Sequence, residues 1–126
     1  MTTLPDASRD AMLTALVGLL DGGYVEVRDG TAPDPDDPAT GTLLVTLPLN
    51  SPAFVVVSGV ATADVTPQPE DNAVATGTAG WFRAYAFDDT PVIDGIAADM
   101  DLSTSAVVDG APVKILSWTI TMPDGS

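Results

Sequence analysis

The sequence predicts a mainly β fold, an antiparallel β-sandwich or barrel of six to seven strands with one N-terminal α-helix. Three observations predict it. After residue 23 the apolar residues fall mostly in short β-branched or period-two runs. Clusters of Gly, Pro and Asp punctuate those runs roughly every ten residues. Helical spacing of apolar residues occurs once, near the N-terminus. Strands do not alternate with helices, which excludes a Rossmann or flavodoxin-like sheet. With 126 residues, the chain is expected to form a single domain over 1–126, with a helix at 5–21 and a β-domain at 23–123.

The helix over 5–21 rests on Met12, Leu16, Leu19 and Leu20 at helical spacing, a stripe that Leu13 and Val17 widen. Pro5 suits the first turn, Asp6 and Asp10 complement the helix dipole, and Gly22-Gly23 supplies the stop. Tyr24 to Arg28 reads as the first strand. The segment 31–38 carries three prolines, which cannot donate ladder hydrogen bonds, and is expected to be an exposed loop. Gly41 to Leu49 reads as the second strand, broken by Asn50-Ser51-Pro52. Phe54 to Val65 is apolar and β-branched, with Gly59 marking a bend or bulge. Residues 66–72 form a second Pro-containing loop.

Ala73 to Phe87 is the longest strand candidate. Its pleat places Phe82, Ala84 and Ala86 on one face and Trp81, Arg83, Tyr85 and Phe87 on the other. A turn at Asp88-Asp89-Thr90-Pro91 leads into Val92 to Ala98, followed by a short strand near Leu102. In the last strand, Val113 to Met122, the residues Leu116, Trp118, Ile120 and Met122 are expected to share one buried face.

Charge and composition restrict function. The chain has 18 acidic and 4 basic residues, a net charge of −14, and neither His nor Cys. A Ser-His-Asp triad, a Cys nucleophile, a zinc site built on Cys or His and a disulfide all lack their parts. The cations Arg9, Arg28, Arg83 and Lys114 are scattered, so neither nucleic acid nor an anionic membrane is an expected partner. No apolar run is long enough for a transmembrane helix, and no cationic segment precedes the first apolar stretch as in a signal peptide.

Carboxylates are the one abundant chemical group. A hydrolase acting through an Asp pair would need one carboxyl buried, whereas these acids flank Gly and Pro in turns. No enzyme activity and no cofactor are expected. Asp34, Asp36 and Asp37, with the pairs Asp88–Asp89 and Asp99–Asp101, are the groups that could offer oxygens to calcium, but without EF-hand spacing. They read as solvated turn residues, and no metal site is assigned. Gly77-Thr78-Ala79-Gly80 lacks the Lys of a phosphate loop. Trp81, Tyr85, Phe87 and Trp118 are either core residues or an aromatic platform for host-surface glycans.

Several stretches together resemble a known group. They are Gly41-Thr-Leu-Leu-Val-Thr-Leu47 with Pro52-Ala-Phe54, Gly59-Val-Ala-Thr-Ala63, and Ala75-Thr-Gly-Thr-Ala79 followed by Phe82. The helical Leu4 to Leu20 segment ending in Asp-Gly and the closing Trp118-Thr-Ile-Thr-Met-Pro123 extend the likeness over nearly the whole chain. The chain thus resembles small virion structural proteins of tailed bacteriophages and prophages, the head decoration or cement proteins among them. The resemblance implies a virion location and a role on the assembled head. It also implies binding to the major capsid protein or other virion proteins, and it allows a homo-oligomer on the particle. Tail, neck or fibre component and host-glycan-binding module are the alternatives. The family supplies no catalytic residues.

With few cations, attachment is expected to come from apolar burial and β-edge pairing. The surface expected to make it comprises Leu13, Val17 and Leu20 on the helix, the run Phe54, Val55, Val56 and Val57, and the flanking loop 31–40. Repulsion between copies of charge −14 predicts a monomer or weak oligomer in dilute solution.

Overall fold

A computed structural model describes residues 3–66 and 69–121. The helix α1 covers Asp6–Gly18, with Pro5 at its N-cap, and the chain leaves it through a turn in which Gly22 takes a φ of +70°. It is shorter than the expected 5–21. Its buried residues are Leu13 and Val17, continued by Leu20 in the turn that follows, while Met12 and the C-cap Leu19 face outward. A β-carbon on Gly23 would stand 2.1 Å from the Tyr85 carbonyl oxygen, so only glycine lets the chain pass into the first strand there.

Eleven short strands follow among the described residues, more than the six or seven expected, but of the expected class. They are β1 (Tyr24–Arg28), β2 (Leu43–Pro48), β3 (Phe54–Val57), β4 (Val60–Ala63), β5 (Glu70–Asn72), β6 (Gly77–Thr78), β7 (Trp81–Tyr85), β8 (Pro91–Ile96), β9 (Met100–Leu102), β10 (Ala106–Val107) and β11 (Pro112–Thr121). A 3-10 turn, Ala97–Asp99, joins β8 to β9. All ladders are antiparallel. One sheet has the order β2-β1-β7-β8; a second has the order β3-β4-β11-β5, with β9 also on β11; β6 and β10 form a small pair.

The inner faces share one core. Val25 and Val27 of β1 lie opposite Ala84 and Phe82 of β7. Across the gap, the Trp118 ring meets Phe82 edge-on at 5.2 Å and Phe54 at 4.9 Å, which joins the two sheets through aromatic contacts. Leu13 and Val17 of α1, with Leu20 in the turn after it, complete the same cluster. This is the layered arrangement of a β-sandwich with one helix on its core.

Two expected strands divide, and one expected loop forms a strand. Phe54 to Val65 is a tight hairpin, because Ser58 and Gly59 both take positive φ, +50° and +79°, as a two-residue hairpin turn requires. Ala73 to Phe87 splits into β6 and β7 at Gly80, whose missing β-carbon admits the Gly30 carbonyl oxygen. Residues 70–72, expected as loop, pair with β11.

The expected burial of β11 also needs correction. Its register slips between Ile115 and Ser117. The extra residue of this bulge brings Val113, Ile115 and Trp118 all onto the core side and turns Leu116 outward. Ile120 is half-buried, and Met122 lies outside the described residues.

Candidate interaction surface

The residues expected to form a docking surface divide sharply. Leu13 and Leu20 are 0% exposed, and Val17 and Phe54 are almost as deeply buried. All four side chains belong to the core, where the helix stripe covers the protein's own sheets, and only the outer rims of Val17 and Phe54 reach a groove. Val55 and Val57 are 58% and 63% exposed, with Val56 half-buried between them. The alternation follows from the pleat: Phe54 and Val56 point inward with Ala63 and Ala61 opposite, and Val55 and Val57 point outward.

The outward face continues across the sheet. Val55 pairs with Thr62, and Thr62 with Thr119; Val57 pairs with Val60, and Val60 with Thr121. Directly paired residues share a face. Two rows of three β-branched, uncharged side chains therefore stand side by side, five of the six exposed and Val60 half-buried. At one margin lies β3, the terminal strand of the sheet.

The opposite outer face, on the four-stranded sheet, is built differently. Arg83, 3% exposed, lies directly across from Asp94. Its Nε and Nη2 donate to the two oxygens of the Asp94 carboxylate at 2.7 and 2.9 Å. This bidentate pairing holds the guanidinium protonated more firmly than usual, against the opposing effect of burial. Arg83 Nη1 also donates to the Asp37 carbonyl at 2.8 Å, which ties down the 31–40 loop, and the guanidinium stacks over Trp81 at 5.4 Å. Trp81 is fully buried, and its indole nitrogen has no hydrogen-bond partner. Asp34 spends its carboxylate on the backbone N–H of Asp36, forming an Asx turn within that loop.

The aromatic platform is accordingly not assembled on the surface. Trp81 and Trp118 are interior, Tyr85 is half-buried and stacks on Tyr24 at 4.9 Å, and only Phe87 stands largely free at 77% exposure. Burial, and then the hydrogen bond to Asp89, raise the Tyr24 phenol above its ordinary range; burial followed by Glu26 raises Tyr85. Asp88 is held below the usual carboxylate range by hydrogen bonds from Thr90.

Among the described residues no three acidic side chains converge on a point where a metal ion could sit. A cavity of about 600 Å³ has a single carboxylate, Asp101, among hydroxyl and apolar groups. A groove of about 450 Å³ runs between Leu19 and the Phe87–Pro91–Val92 bend. No helix among the described residues is long and apolar enough to cross a membrane. Comparisons with known protein families, curated proteins and solved structures find no match.

The sequence reading found Val55 and Val57 through their apolar run, but missed Val60, Thr62, Thr119 and Thr121. Their proximity depends on strand pairing across more than fifty residues. It also missed Arg83, whose signal was present: a lone cation inside an apolar strand implies a buried partner.

Proposed function

We propose that this chain is a bacteriophage virion structural protein of the head decoration or cement kind, acting by adhesion rather than by turnover. One observation carries the adhesive reading: on a chain of net charge −14, an uncharged Val/Thr face beside a terminal strand is left bare. Exposed apolar strands at a sheet edge are sites where another chain can pair. The resemblance set out above supplies the virion setting. Virion proteins supply the partners, the major capsid protein first among them.

The acidic remainder of the surface fits the same role. It keeps copies apart and soluble before assembly and directs them toward a complementary target. The glycan-module alternative lost two of its four aromatics to the interior and has no comparable support.

Mass spectrometry of heads and tails, separated after purification from the phage that encodes the chain, tests the proposal. The expected result is a stoichiometric amount in heads. Recovery in tails alone moves the role to the tail, and absence from both overturns the virion reading.

A further inference from the structure

A groove of about 240 Å³ lies between α1 and β3, with Thr14, Val17 and Gly18 on the helix side and Pro52, Phe54 and Val56 on the strand side. Among the described residues, no strand pairs with this side of β3. β3 has β4 as its ladder partner and ends its sheet. The two-residue turn at Ser58–Gly59 makes Val57 and Val60 a hydrogen-bonded pair, and the pattern alternates from there. Val55 thus bonds toward β4, while the backbone groups of Phe54 and Val56 point to the groove side. Edge strands are commonly guarded by Lys, Pro, a bulge or a covering helix; β3 reads Phe-Val-Val-Val without the first three, and α1 stands across the groove from it.

Charge then selects the occupant. Helix α1 runs beside β3, and the helix and the turn that follows it are tied to the two ends of the strand. At the hairpin tip the Gly59 N–H donates to Asp10, and at the base the Ala53 N–H donates to Asp21. Asp6 and Arg9 form an ion pair near the tip, and the Asp64 N–H bonds the Ala53 carbonyl at the base. Both ends of the groove are therefore net negative, and its middle is neutral. A second copy would bring its own acid and a charge of −14 against this. A strand with cations at its ends is matched instead.

We propose that the α1–β3 groove captures an extended segment of a partner protein by strand addition, the segment carrying Lys or Arg at both ends and uncharged β-branched or aliphatic residues between. This rests on the adhesive reading above and adds the mode of capture and the chemistry of the partner. At about 3.3 Å per residue, four strand residues span about 13 Å, so six to eight partner residues bridge the acidic ends.

The test is an NMR titration of the full ¹⁵N-labelled chain with the capped peptide KTVTVTVK and, as control, ETVTVTVE. KTVTVTVK is expected to cause saturable shifts at the Phe54 and Val56 amides below about 2 mM, with ETVTVTVE at least about tenfold weaker. Thr14→Trp, at an exposed position on the groove wall, should weaken binding by about tenfold or more. Val56→Pro removes an outward N–H and should do the same; where it fails to fold, Thr14→Trp carries the test. Absence of saturable shifts at those amides, equal binding of both peptides, or binding unchanged in a folded Thr14→Trp variant overturns the proposal. So does a stable dimer that Val56→Pro dissolves, which would assign the edge to a second copy. Peptide binding by a protein absent from virions would leave the groove standing and remove the virion role. Equal retention of wild type and Thr14→Trp on heads would do the reverse.

Discussion

On the outer face of the four-stranded sheet, Trp81 and Arg83 lie 0% and 3% exposed beneath the 31–40 loop; on the outer face of the β3–β4–β11 sheet, Val55 and Val57 lie 58% and 63% exposed, with none of the described residues roofing them. The more polar face is the covered one. Its arginine, carboxylate and loop carbonyls satisfy one another, so that face has little left to offer a partner. The Val/Thr face has no polar network to close it, and its exposure costs the monomer hydrophobic stabilisation that a partner would recover. A chain that roofs one sheet and leaves the other bare separates the surface that serves folding from the surface proposed for assembly.

The comparison breaks most visibly at Arg83. Replacing it with Met strands the Asp94 carboxylate in a nearly closed site, and breaking a buried pair in this way costs about 3–5 kcal/mol. Urea denaturation should show that loss, and limited proteolysis should cut within 31–40; an unchanged midpoint with an intact loop would mean that the roof is held by other contacts. Phe54→Ala should cost a similar amount, about 3–5 kcal/mol, because it empties the space beside Trp118. A loss under about 0.5 kcal/mol would return Phe54 to the surface. A smaller effect is expected at the hairpin tip. Gly59→Ala must adopt φ near +79° with its β-carbon 2.7 Å from the Arg9 guanidinium, and a loss of about 1–2 kcal/mol in thermal unfolding is expected.

The aromatic pair on the covered face predicts a mild alkaline effect. Tyr24 and Tyr85 both have raised pKa values, so the folded state favours the neutral phenols. Their contribution is complete below the unfolded value of about 10 and is lost as pH rises beyond it. Melting temperature should therefore begin to fall near pH 10, and the fall should flatten in a Tyr24→Phe/Tyr85→Phe variant. An equally steep decline in that variant would assign it to other groups.

Much of the fold was legible in the sequence, because local pattern and turn chemistry carry it. The strand Tyr24–Arg28 lies where its alternation put it, whereas the helix ends at Gly18, four residues ahead of the expected Gly22-Gly23 stop. Phase was harder to read. The bulge in β11 depends on pairing with β9, so the alternation Leu116–Trp118–Ile120 suggested one buried face where the strand has two phases. The expected helix stripe is two residues too wide, since Met12 and Leu19 lie outside the buried line. The candidate surface was half legible. Exposure of Val55 and burial of Phe54 differ by one pleat step, and the direction of the pleat is set by which side the core occupies. Thr62 and Thr119 are neighbours only through strand pairing.

The most direct test of the bare face is co-sedimentation of wild type and a Val55→Asp/Val57→Asp variant with purified heads in about 0.5 M salt, where screening reduces the Debye length to a few ångströms. Both positions are exposed, so the variant's stability should stay within about 0.5 kcal/mol of wild type. The account predicts that wild type stays bound and that the equally stable variant is lost from the pellet by at least about tenfold, since two carboxylates would be desolvated on docking. Release of wild type by salt alone, together with normal binding of the variant, would contradict it and make the attachment electrostatic.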